Sequence, residues 1–418
     1  MKLITILSLL VLLFSNETLL AAETEQFYTA DFTDSNEEHI MMDYSSVYVP
    51  SKDKTYYECM VWNTKTGQSK LYFYDYTDKV FKAYETNVQI PSDPLPNCGN
   101  DGPSYHMDYS AVHVPSQDKT YYECVVWDSE TGESILYFYS YDNKTFQAYG
   151  DNVQLPKNPL PEVGDTRNVR MNYTSVYVPT EDKTYYECMV WDTQTGMSKL
   201  YFYSYTDKVF KAYGDNIQFP ANPLPNNSNN NPSIFMDYSS VYVSSKDKTY
   251  YECLVWDEET GNSLLYFYDY TEKKFKAYGD NVQMPSNPLG EQAAKDQSIF
   301  MDYTSVHVPS EDKTYYECMI WDTQTGVSKL YFYSYTDKVF KAYEDNVQLP
   351  AKPLSNQSES FIMMDYTSIH VSTQDKTYYE CMVWNPNTGE SKLYNYNYTS
   401  KSFVAYGQNV QLPAAPLD

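Results

Sequence analysis

The sequence is poor in positive charge, and this shortage excludes several classes of partner. Its 418 residues contain 30 Lys and Arg against 56 Asp and Glu, which gives a formal net charge of −26. A chain with this balance is repelled by nucleic-acid backbones and by anionic membrane surfaces. We therefore expect no nucleic acid among its partners.

Long apolar runs are also missing, with one exception at the N-terminus. A single lysine precedes the apolar run 3–14, and the small residues that end the segment 20–22 suit a cleavage site. This run is too short to span a bilayer, so we expect no membrane insertion. The pattern predicts a signal peptide over 1–22, an acidic leader over 23–40, and a secreted protein that is extracellular or periplasmic.

Signatures of chemistry are the third absence. The sequence shows no Ser/His/Asp set, no phosphate-binding loop and no zinc-cysteine cluster. No segment has the 3.6-residue period of an amphipathic helix. The diagnostic residues of WD and kelch repeats are missing as well. The organisation of the chain therefore has to be derived from its internal repeats.

Repetition is what the sequence has in abundance. The stretch 56–62, Tyr-Tyr-Glu-Cys-Met-Val-Trp, is one of six copies that differ only at its fifth and sixth positions, with the cysteine at 59, 124, 188, 253, 318 and 381. Such a fixed period means that the fold must be argued from one repeat. The repeats are predicted at 41–104, 105–168, 169–233, 234–298, 299–360 and 361–418.

Each repeat has the composition of four short strands. In the first repeat, aromatic and β-branched residues fill 44–49, 56–62, 69–74 and 80–84, with turn residues between them. Both faces of the central strands are apolar or aromatic, so each sheet needs cover on both sides, and only neighbouring repeats can supply it. The sequence thus predicts an all-β, six-bladed β-propeller built from six four-stranded antiparallel repeats of about 65 residues.

The central hairpin brings one carboxylate onto an aromatic face. If the turn comprises the five residues 63–67, Glu58 lies opposite Tyr72, near the amine of Lys70. The repeated glutamates then form either an acidic ligand-binding ring or a set of strand carboxylates paired with Lys or Tyr, since a lone buried charge is costly. They are Glu58, Glu123, Glu187, Glu252, Glu317 and Glu380.

A second set of carboxylates opens the first predicted strand, with Asn172 in its place in the third repeat. The first strand of a propeller blade lines the central channel, so this set would lie at one mouth of it. Oxygen ligands suit Ca²⁺, whereas an Asp at a strand start often only caps the preceding turn. The turn cap is the favoured interpretation, so no cofactor is expected, and Ca²⁺ is the alternative. The set is Asp43, Asp108, Asp237, Asp302 and Asp365.

The cysteines and histidines favour structural roles. Equivalent cysteines in stacked sheets would lie about 10 Å apart, beyond the roughly 7 Å that a disulfide tolerates. We therefore predict six buried thiols and one exposed thiol, Cys98 in a linker. His113, His307 and His370 share a repeat position but would lie in blades 2, 5 and 6, so we expect no shared metal site.

The 47 tyrosines and 6 tryptophans carry the functional prediction. Their rings stack on sugars and on partner side chains and are enriched at binding hot spots. No repeat has the unique polar residues of a single active site. The sequence favours a secreted, non-enzymatic, multivalent binding protein, lectin-like or adhesive, with a carbohydrate or protein surface as partner. The alternatives are a glycan-active enzyme with paired carboxylates and a structural surface-coat protein whose repeats form a string.

Overall fold

The computed structural model describes residues 38–96, 104–161, 163, 168–215, 217–225, 232–290, 298–354, 361–407 and 410–417. Within these residues the chain forms six antiparallel sheets of four strands, and each sheet comes wholly from one repeat. Blade 1 consists of β1 (Ile40–Val49), β2 (Lys54–Asn63), β3 (Ser69–Asp75) and β4 (Val80–Ala83).

The other five blades repeat this order of one long inner strand, two central strands and one short outer strand. They are blade 2, β5 (Tyr105–Val114), β6 (Lys119–Asp128), β7 (Ser134–Ser140) and β8 (Thr145–Ala148); blade 3, β9 (Val169–Val178), β10 (Lys183–Asp192), β11 (Ser198–Ser204) and β12 (Val209–Ala212); blade 4, β13 (Ile234–Val243), β14 (Lys248–Asp257), β15 (Ser263–Asp269) and β16 (Lys274–Ala277); blade 5, β17 (Ile299–Val308), β18 (Lys313–Asp322), β19 (Ser328–Ser334) and β20 (Val339–Ala342); and blade 6, β21 (Met363–Val371), β22 (Lys376–Trp384), β23 (Ser391–Asn397) and β24 (Ser402–Ala405).

Short 3-10 turns connect some of these strands. They are Pro50–Lys52, Thr86–Val88, Pro115–Gln117, Asp151–Val153, Ser244–Lys246, Asp280–Val282 and Asp345–Val347. No helix in the described part of the chain is long and apolar enough to cross a membrane. The predicted signal peptide 1–22 and residues 23–37 of the predicted leader lie outside the described residues, so both stay predictions.

The inner strands close into a ring. Each first strand contacts the first strands of both neighbouring blades, and β1 of blade 1 contacts β21 of blade 6. The all-β, six-bladed β-propeller predicted from the repeats is therefore confirmed. A closed ring also contradicts the string of repeats that the surface-coat alternative requires.

Two sets of hydrogen bonds hold neighbouring blades together, and both continue across the junction of blades 6 and 1. At the start of blade 2, the Tyr105 amide donates to the Thr64 carbonyl oxygen at 2.7 Å, and Ile40 donates to Pro386 in the same way. In the loops after the inner strands, the Ser51 hydroxyl donates to Asp118 of the next blade. Thr373 and Asp53 make the matching contact that closes this second ring.

The central hairpin register differs by one residue from the prediction. The Asn63 amide donates to the Gln68 carbonyl oxygen at 2.9 Å, so Asn63 belongs to the ladder and the turn has four residues. Glu58 consequently lies opposite Phe73 rather than Tyr72. Because side chains alternate between faces, every residue of β3 moves to the other side of the sheet. The face of Glu58 gains Leu71 and Phe73 and loses Lys70.

The repeated tryptophans are buried between blades at 2–4% exposure. The Trp62 Nε1–H donates to the Tyr105 carbonyl oxygen of the next blade at 3.1 Å. The same bond recurs at the next four interfaces at 3.0–3.1 Å. At the junction of blades 6 and 1, the Trp384 Nε1 has no partner among the described residues. The predicted use of tryptophan in ligand binding is therefore wrong, because these rings serve inter-blade packing.

The six repeated cysteines are free and fully buried, as predicted. Burial raises the pKa of the Cys59 thiol well above its usual range, with further rises from Asp365 and Asp43. The thiolate is the reactive form. We expect iodoacetamide to modify none of the six in the native protein and all six after denaturation, as measured by mass spectrometry. A disulfide-linked peptide joining Cys59 to Cys124 would contradict this packing. Cys98 lies outside the described residues.

Candidate binding sites between the blades

A cavity opens between neighbouring blades. Its volume is about 290 Å³ between blades 1 and 2, and about 310 Å³ both between blades 2 and 3 and between blades 3 and 4. Each cavity is lined by one blade's central strands on one side and by the next blade's opposite face on the other. We call these spaces the inter-blade cavities. The tyrosine hydrogen bonds described below recur at all six interfaces, and the cavity volumes and linings are those of the first three.

The floor of each cavity is a glutamate held by two tyrosine hydroxyls. The Tyr84 hydroxyl donates to Glu58 Oε1 at 2.6 Å, and the Tyr109 hydroxyl of blade 2 donates to Oε2 at 2.8 Å. The lysine partner considered for Glu58 is wrong, because Lys70 lies opposite Val61 on the other face of the sheet. The other floor glutamates, with their tyrosines, are Glu123 (Tyr149, Tyr173), Glu187 (Tyr213, Tyr238), Glu252 (Tyr278, Tyr303), Glu317 (Tyr343, Tyr366) and Glu380 (Tyr406, Tyr44).

The floor glutamates titrate near neutrality. Burial raises the pKa of Glu58 to about 7, against the opposing effect of the hydroxyls of Tyr84 and Tyr109. The other five floor glutamates have the same pKa for the same reason. Burial and the nearby Glu58 raise the pKa of the Tyr84 hydroxyl, so this group stays protonated and donates. Both hydroxyl protons are already donated to the carboxyl, so each floor offers acceptor oxygens to a ligand, and a donor only when its glutamate is protonated.

Aromatic side chains of the next blade form one wall of the cavity. Between blades 1 and 2 they include Tyr122, Tyr139 and Phe146. The rings of Tyr122 and Tyr139 meet edge to face, with centroids 6.3 Å apart and an interplanar angle of 80°. Leu71 lies on the opposite wall, which is a consequence of the observed hairpin register. The wall is thus largely apolar above a polar floor.

An exposed tyrosine and a lysine stand at the mouth. Tyr141 is 43% exposed and is fixed by donating its hydroxyl to the Thr120 carbonyl oxygen at 2.7 Å. Lys119 Nζ lies 4.9 Å from the centre of the Tyr141 ring and 4.7 Å from that of Tyr121. We call the exposed rings the mouth tyrosines. They are Tyr76, Tyr141, Tyr205, Tyr270, Tyr335 and Tyr398.

Sequence reasoning did not single out the mouth tyrosines, although the signal was present. Each is the residue directly after the third strand and the first residue of the turn to the fourth strand, in every repeat. Among 47 tyrosines the pattern does not show which rings are exposed. Exposure depends on the hydroxyl bond to the second strand, as from Tyr76 to the Thr55 carbonyl oxygen at 2.7 Å. That hydrogen bond joins the turn after the third strand to the second strand, so the pattern within one strand does not reveal it.

The predicted aspartates lie elsewhere, on the inner strands. Asp43 Oδ2 accepts the backbone N–H of Tyr109 from the next blade at 2.6 Å. Because Asp43 lies inside β1 rather than at its start, the predicted turn cap is wrong. Asn172 interrupts the set, and its Oδ1 has no partner among the described residues. The other four accept equivalent bonds: Asp108, Asp237, Asp302 and Asp365.

These aspartates do not line the three described cavities, so the structure does not bring the two carboxylate sets together there. Burial raises the pKa of Asp108 to about 7, and the pKa of Asp237 to about 7 as well. Among the described residues, no group of three or more His, Cys, Asp or Glu side chains is placed to hold a metal ion. Calcium binding stays the untested alternative for this set. His113 lies at one cavity mouth, with Nδ1 3.2 Å from the Thr120 hydroxyl.

No protein-family model and no curated protein sequence matches the chain. A mutant of the Aleuria aurantia lectin, solved in complex with alpha-methyl-L-fucoside, is similar with a TM-score of 0.52 at 7% identity, covering 90% of this chain and 96% of that chain. The fucose-specific lectin from Aleuria aurantia in its Hg-derivative form has a TM-score of 0.50 at 7% identity, covering 88% and 95%. The chain shares the fold of these lectins.

Enzymes also occur among the similar structures. The endo-arabinase from Bacteroides thetaiotaomicron has a TM-score of 0.41 at 8% identity and covers 73% of this chain and 96% of that chain. The similarity to the two lectins, at 7% identity, shows a common fold and nothing about the ligand. The function has to be argued from the cavities themselves.

Proposed function

We propose that this protein is a secreted, non-enzymatic, multivalent carbohydrate-binding protein whose sites are the inter-blade cavities. The observation that carries the proposal is the combination of an exposed aromatic ring at each mouth with a polar, hydrogen-bonding floor below it. Sugars present C–H faces that stack on aromatic rings and hydroxyls that need donors and acceptors. Two of the solved structures with the same fold are lectins, and one holds a fucoside.

The size of the cavities suits a small ligand. Sites for small molecules enclose roughly 300–1,000 Å³, and the described cavities lie at the lower end of that range, at about 290–310 Å³. One or two sugar units would fill such a space. The mouth tyrosine would stack on one face of the sugar, while the floor glutamate and its two tyrosines would bind hydroxyls on the inner side.

The floor is poorly arranged for glycoside hydrolysis. Retaining and inverting enzymes place two carboxyl groups about 5–10 Å apart on either side of the bond that is cleaved. Each described cavity has one carboxyl at its floor, where both oxygens of Glu58 accept tyrosine hydroxyls, and its other carboxyls, such as Asp118, lie at the mouth. The same arrangement recurs in all six repeats, which favours repeated binding over a single catalytic centre.

Repetition of the site predicts weak single contacts and strong multivalent ones. We expect a monovalent methyl glycoside to bind weakly in calorimetry, at several sites per chain and without hydrolysis. The same sugar displayed on a surface should bind about 10²–10⁴-fold more tightly, because later contacts form at a high effective concentration. Alpha-methyl-L-fucoside is the first member of the glycoside panel to test.

The mouth tyrosines supply the matched variants for this test. Replacing all six by Ala should abolish binding to the displayed sugar, whereas replacing all six by Phe should retain most of it, because Phe keeps the ring and loses only the hydroxyl bond to the second strand. Circular dichroism should show the same fold in both. One tight site per chain, or hydrolysis of an aryl glycoside that one floor Glu→Gln substitution removes, would overturn the proposal in favour of an enzyme.

A further inference from the structure

The interiors of the cavities are alike, but one residue at each mouth differs in charge. It is the third residue of the loop after the inner strand, and it is exposed in every blade. It lines the described cavities as Lys52, Gln117 and Glu181. We call it the mouth residue. In blade order it is Lys52, Gln117, Glu181, Lys246, Glu311 and Gln374.

All six mouth residues occupy the same place against the same tyrosine of the second strand. Lys52 Nζ lies 5.8 Å from the centre of the Tyr56 ring, and Lys246 Nζ lies 5.5 Å from that of Tyr250. Where the mouth residue is Gln or Glu, the tyrosine hydroxyl donates to it instead, as from Tyr121 to Gln117 at 2.5 Å. The other three hydroxyl contacts are those of Tyr185 with Glu181, Tyr315 with Glu311 and Tyr378 with Gln374. The scaffold is therefore constant while the charge of the mouth changes.

The residue that faces the mouth residue from the next blade also varies. Both mouth lysines face a histidine, His113 or His307. Burial lowers the pKa of each imidazole, the adjacent Asp118 or Asp312 opposes this shift, and the mouth lysine adds to it. The mouth residue Glu311 also faces a histidine, His370, whose pKa burial lowers while Asp375 and Glu311 oppose the shift. The glutamine and glutamate mouths of blades 2 and 3 face Tyr177 and Tyr242, which line those cavities. An imidazole therefore accompanies both mouth lysines and also Glu311, so the charge of the mouth residue itself distinguishes these sites.

The other charged side chains at the mouth leave this difference in charge between the cavities in place. Between blades 1 and 2, Lys52 and Lys119 line the cavity together with Asp118. Between blades 3 and 4, Glu181 replaces the first lysine beside the equivalent pair Lys248 and Asp247. The first cavity therefore has an excess of positive side chains at its mouth and the second an excess of negative ones. In a six-blade ring, the two mouth residues that are lysines, Lys52 and Lys246, lie three interfaces apart, on opposite sides.

We propose that the cavities between blades 1 and 2 and between blades 4 and 5 are selective for acidic saccharides, whose carboxylate or sulfate group contacts Lys52 or Lys246. The cavities with Glu181 and Glu311 accept neutral sugars and disfavour acidic ones. This inference rests on the proposed function and adds to it the chemical class of the ligand at two of the six sites. A charge-assisted contact at an exposed mouth should strengthen binding by a few-fold to about tenfold, and salt should weaken it.

The test uses the full chain and matched substitutions at the mouth residue only. The variant pairs are Lys52→Gln with Lys246→Gln, Lys52→Glu with Lys246→Glu, and Glu181→Lys with Glu311→Lys. Each introduces a residue that another blade already carries at this position, so folding should be preserved. Calorimetry then compares a methyl glucuronide and a sulfated methyl glucoside with neutral methyl glucoside at low and high salt.

We expect the unmodified protein to bind the acidic glycosides at two sites more tightly than at the others. The Lys→Gln pair should lower the ratio of acidic to neutral affinity, the Lys→Glu pair should lower it further, and the Glu→Lys pair should raise the number of acidic sites to four. Salt should reduce these differences. The response to the glucuronide and to the sulfated sugar separately shows which anionic group is preferred.

Equal affinity of all six sites for acidic sugars, or an unchanged affinity ratio in the Lys→Glu pair, would overturn this inference while neutral sugars still bound. If neither neutral nor acidic glycosides bound, the proposed function itself would be overturned. The two failures are therefore distinguishable in one set of titrations.

Discussion

Deletion of one complete repeat is expected to prevent the chain from folding as a stable monomer. Removing residues 361–418 uncovers the face of blade 5 that carries Met319, Trp321 and Leu330, all at most 2% exposed in the ring. It also removes Tyr366, whose hydroxyl donates a hydrogen bond to Glu317. Exposing one large apolar side chain costs about 1.5–3 kcal/mol, and several on both open faces together approach the 5–15 kcal/mol by which a typical protein is stable.

Five blades could restore these contacts only by closing at a different angle. Close-packed interiors resist such a change. Size-exclusion chromatography and thermal melting of the five-repeat chain should show aggregation or a greatly lowered Tm. A five-repeat chain as stable and compact as the complete one would contradict the packing described here.

A circular permutant is the matched control for this deletion. Moving residues 361–418 in front of residue 38 keeps all six blades but breaks the chain between repeats 5 and 6. Because each sheet comes from one repeat, this break cuts no strand pairing. The permutant should therefore melt within a few degrees of the original chain, and a permutant that failed to fold would show that chain order matters beyond the blades.

Protein stability is expected to fall as the pH rises from about 4.5 to 7. The floor glutamates have a pKa of about 7 in the folded protein against an ordinary value of 4.5. The folded state therefore holds their protons more tightly than the unfolded state. Their contribution is fully present below pH 4.5 and is lost as the pH rises through 7. Asp108 and Asp237, also with a pKa of about 7, act in the same direction.

Glu187→Gln isolates one of these groups. An amide does not ionise, so the substitution should flatten the pH profile by the contribution of one carboxyl. At about 1.4 kcal/mol per pKa unit, the difference between variant and original chain should shift by about 3 kcal/mol between pH 4.5 and 8. Urea unfolding at fixed ionic strength measures it.

Glu130→Gln provides the control for net charge, because Glu130 is exposed and the substitution changes the formal charge equally. Its profile should keep the shape of the original. If stability instead rose from pH 4.5 to 8, or if Glu187→Gln followed the original chain at every pH, the burial of the floor carboxyls would not control their titration.

The blades were predictable from the sequence because the repeat period and the two apolar faces of the central strands both constrain packing. The register of the central hairpin was not predictable, because it depends on the hydrogen bond from the Asn63 amide to the Gln68 carbonyl oxygen. The Asn63 side-chain oxygen accepts the N–H groups of Lys65 and Thr66, both at 2.9 Å, and this tightens the turn to four residues. Composition alone does not distinguish this turn from one of five residues.

The candidate site was predictable only in part, for a different reason. The sequence indicates that Glu58 recurs on an aromatic face and needs a partner. Its partners come from after the fourth strand, 26 residues away, and from the next blade, 51 residues away. Contacts between blades depend on the angle at which two sheets stack, and no local pattern records that angle. The role of the mouth residues was missed because a loop position that varies between repeats has the same pattern as any exposed position without a function.

The separation between a constant interior and a variable mouth has an evolutionary consequence. The floor glutamate and its tyrosines hold blades together, so a change there endangers folding as well as binding. The mouth residue is exposed and touches one ring, and surface substitutions of this kind usually alter stability by no more than about 0.5 kcal/mol. A single codon change at the mouth can thus retune one site while the other five keep their preference. The six repeats share one interior, and this exposed position allows each of them to acquire its own specialisation.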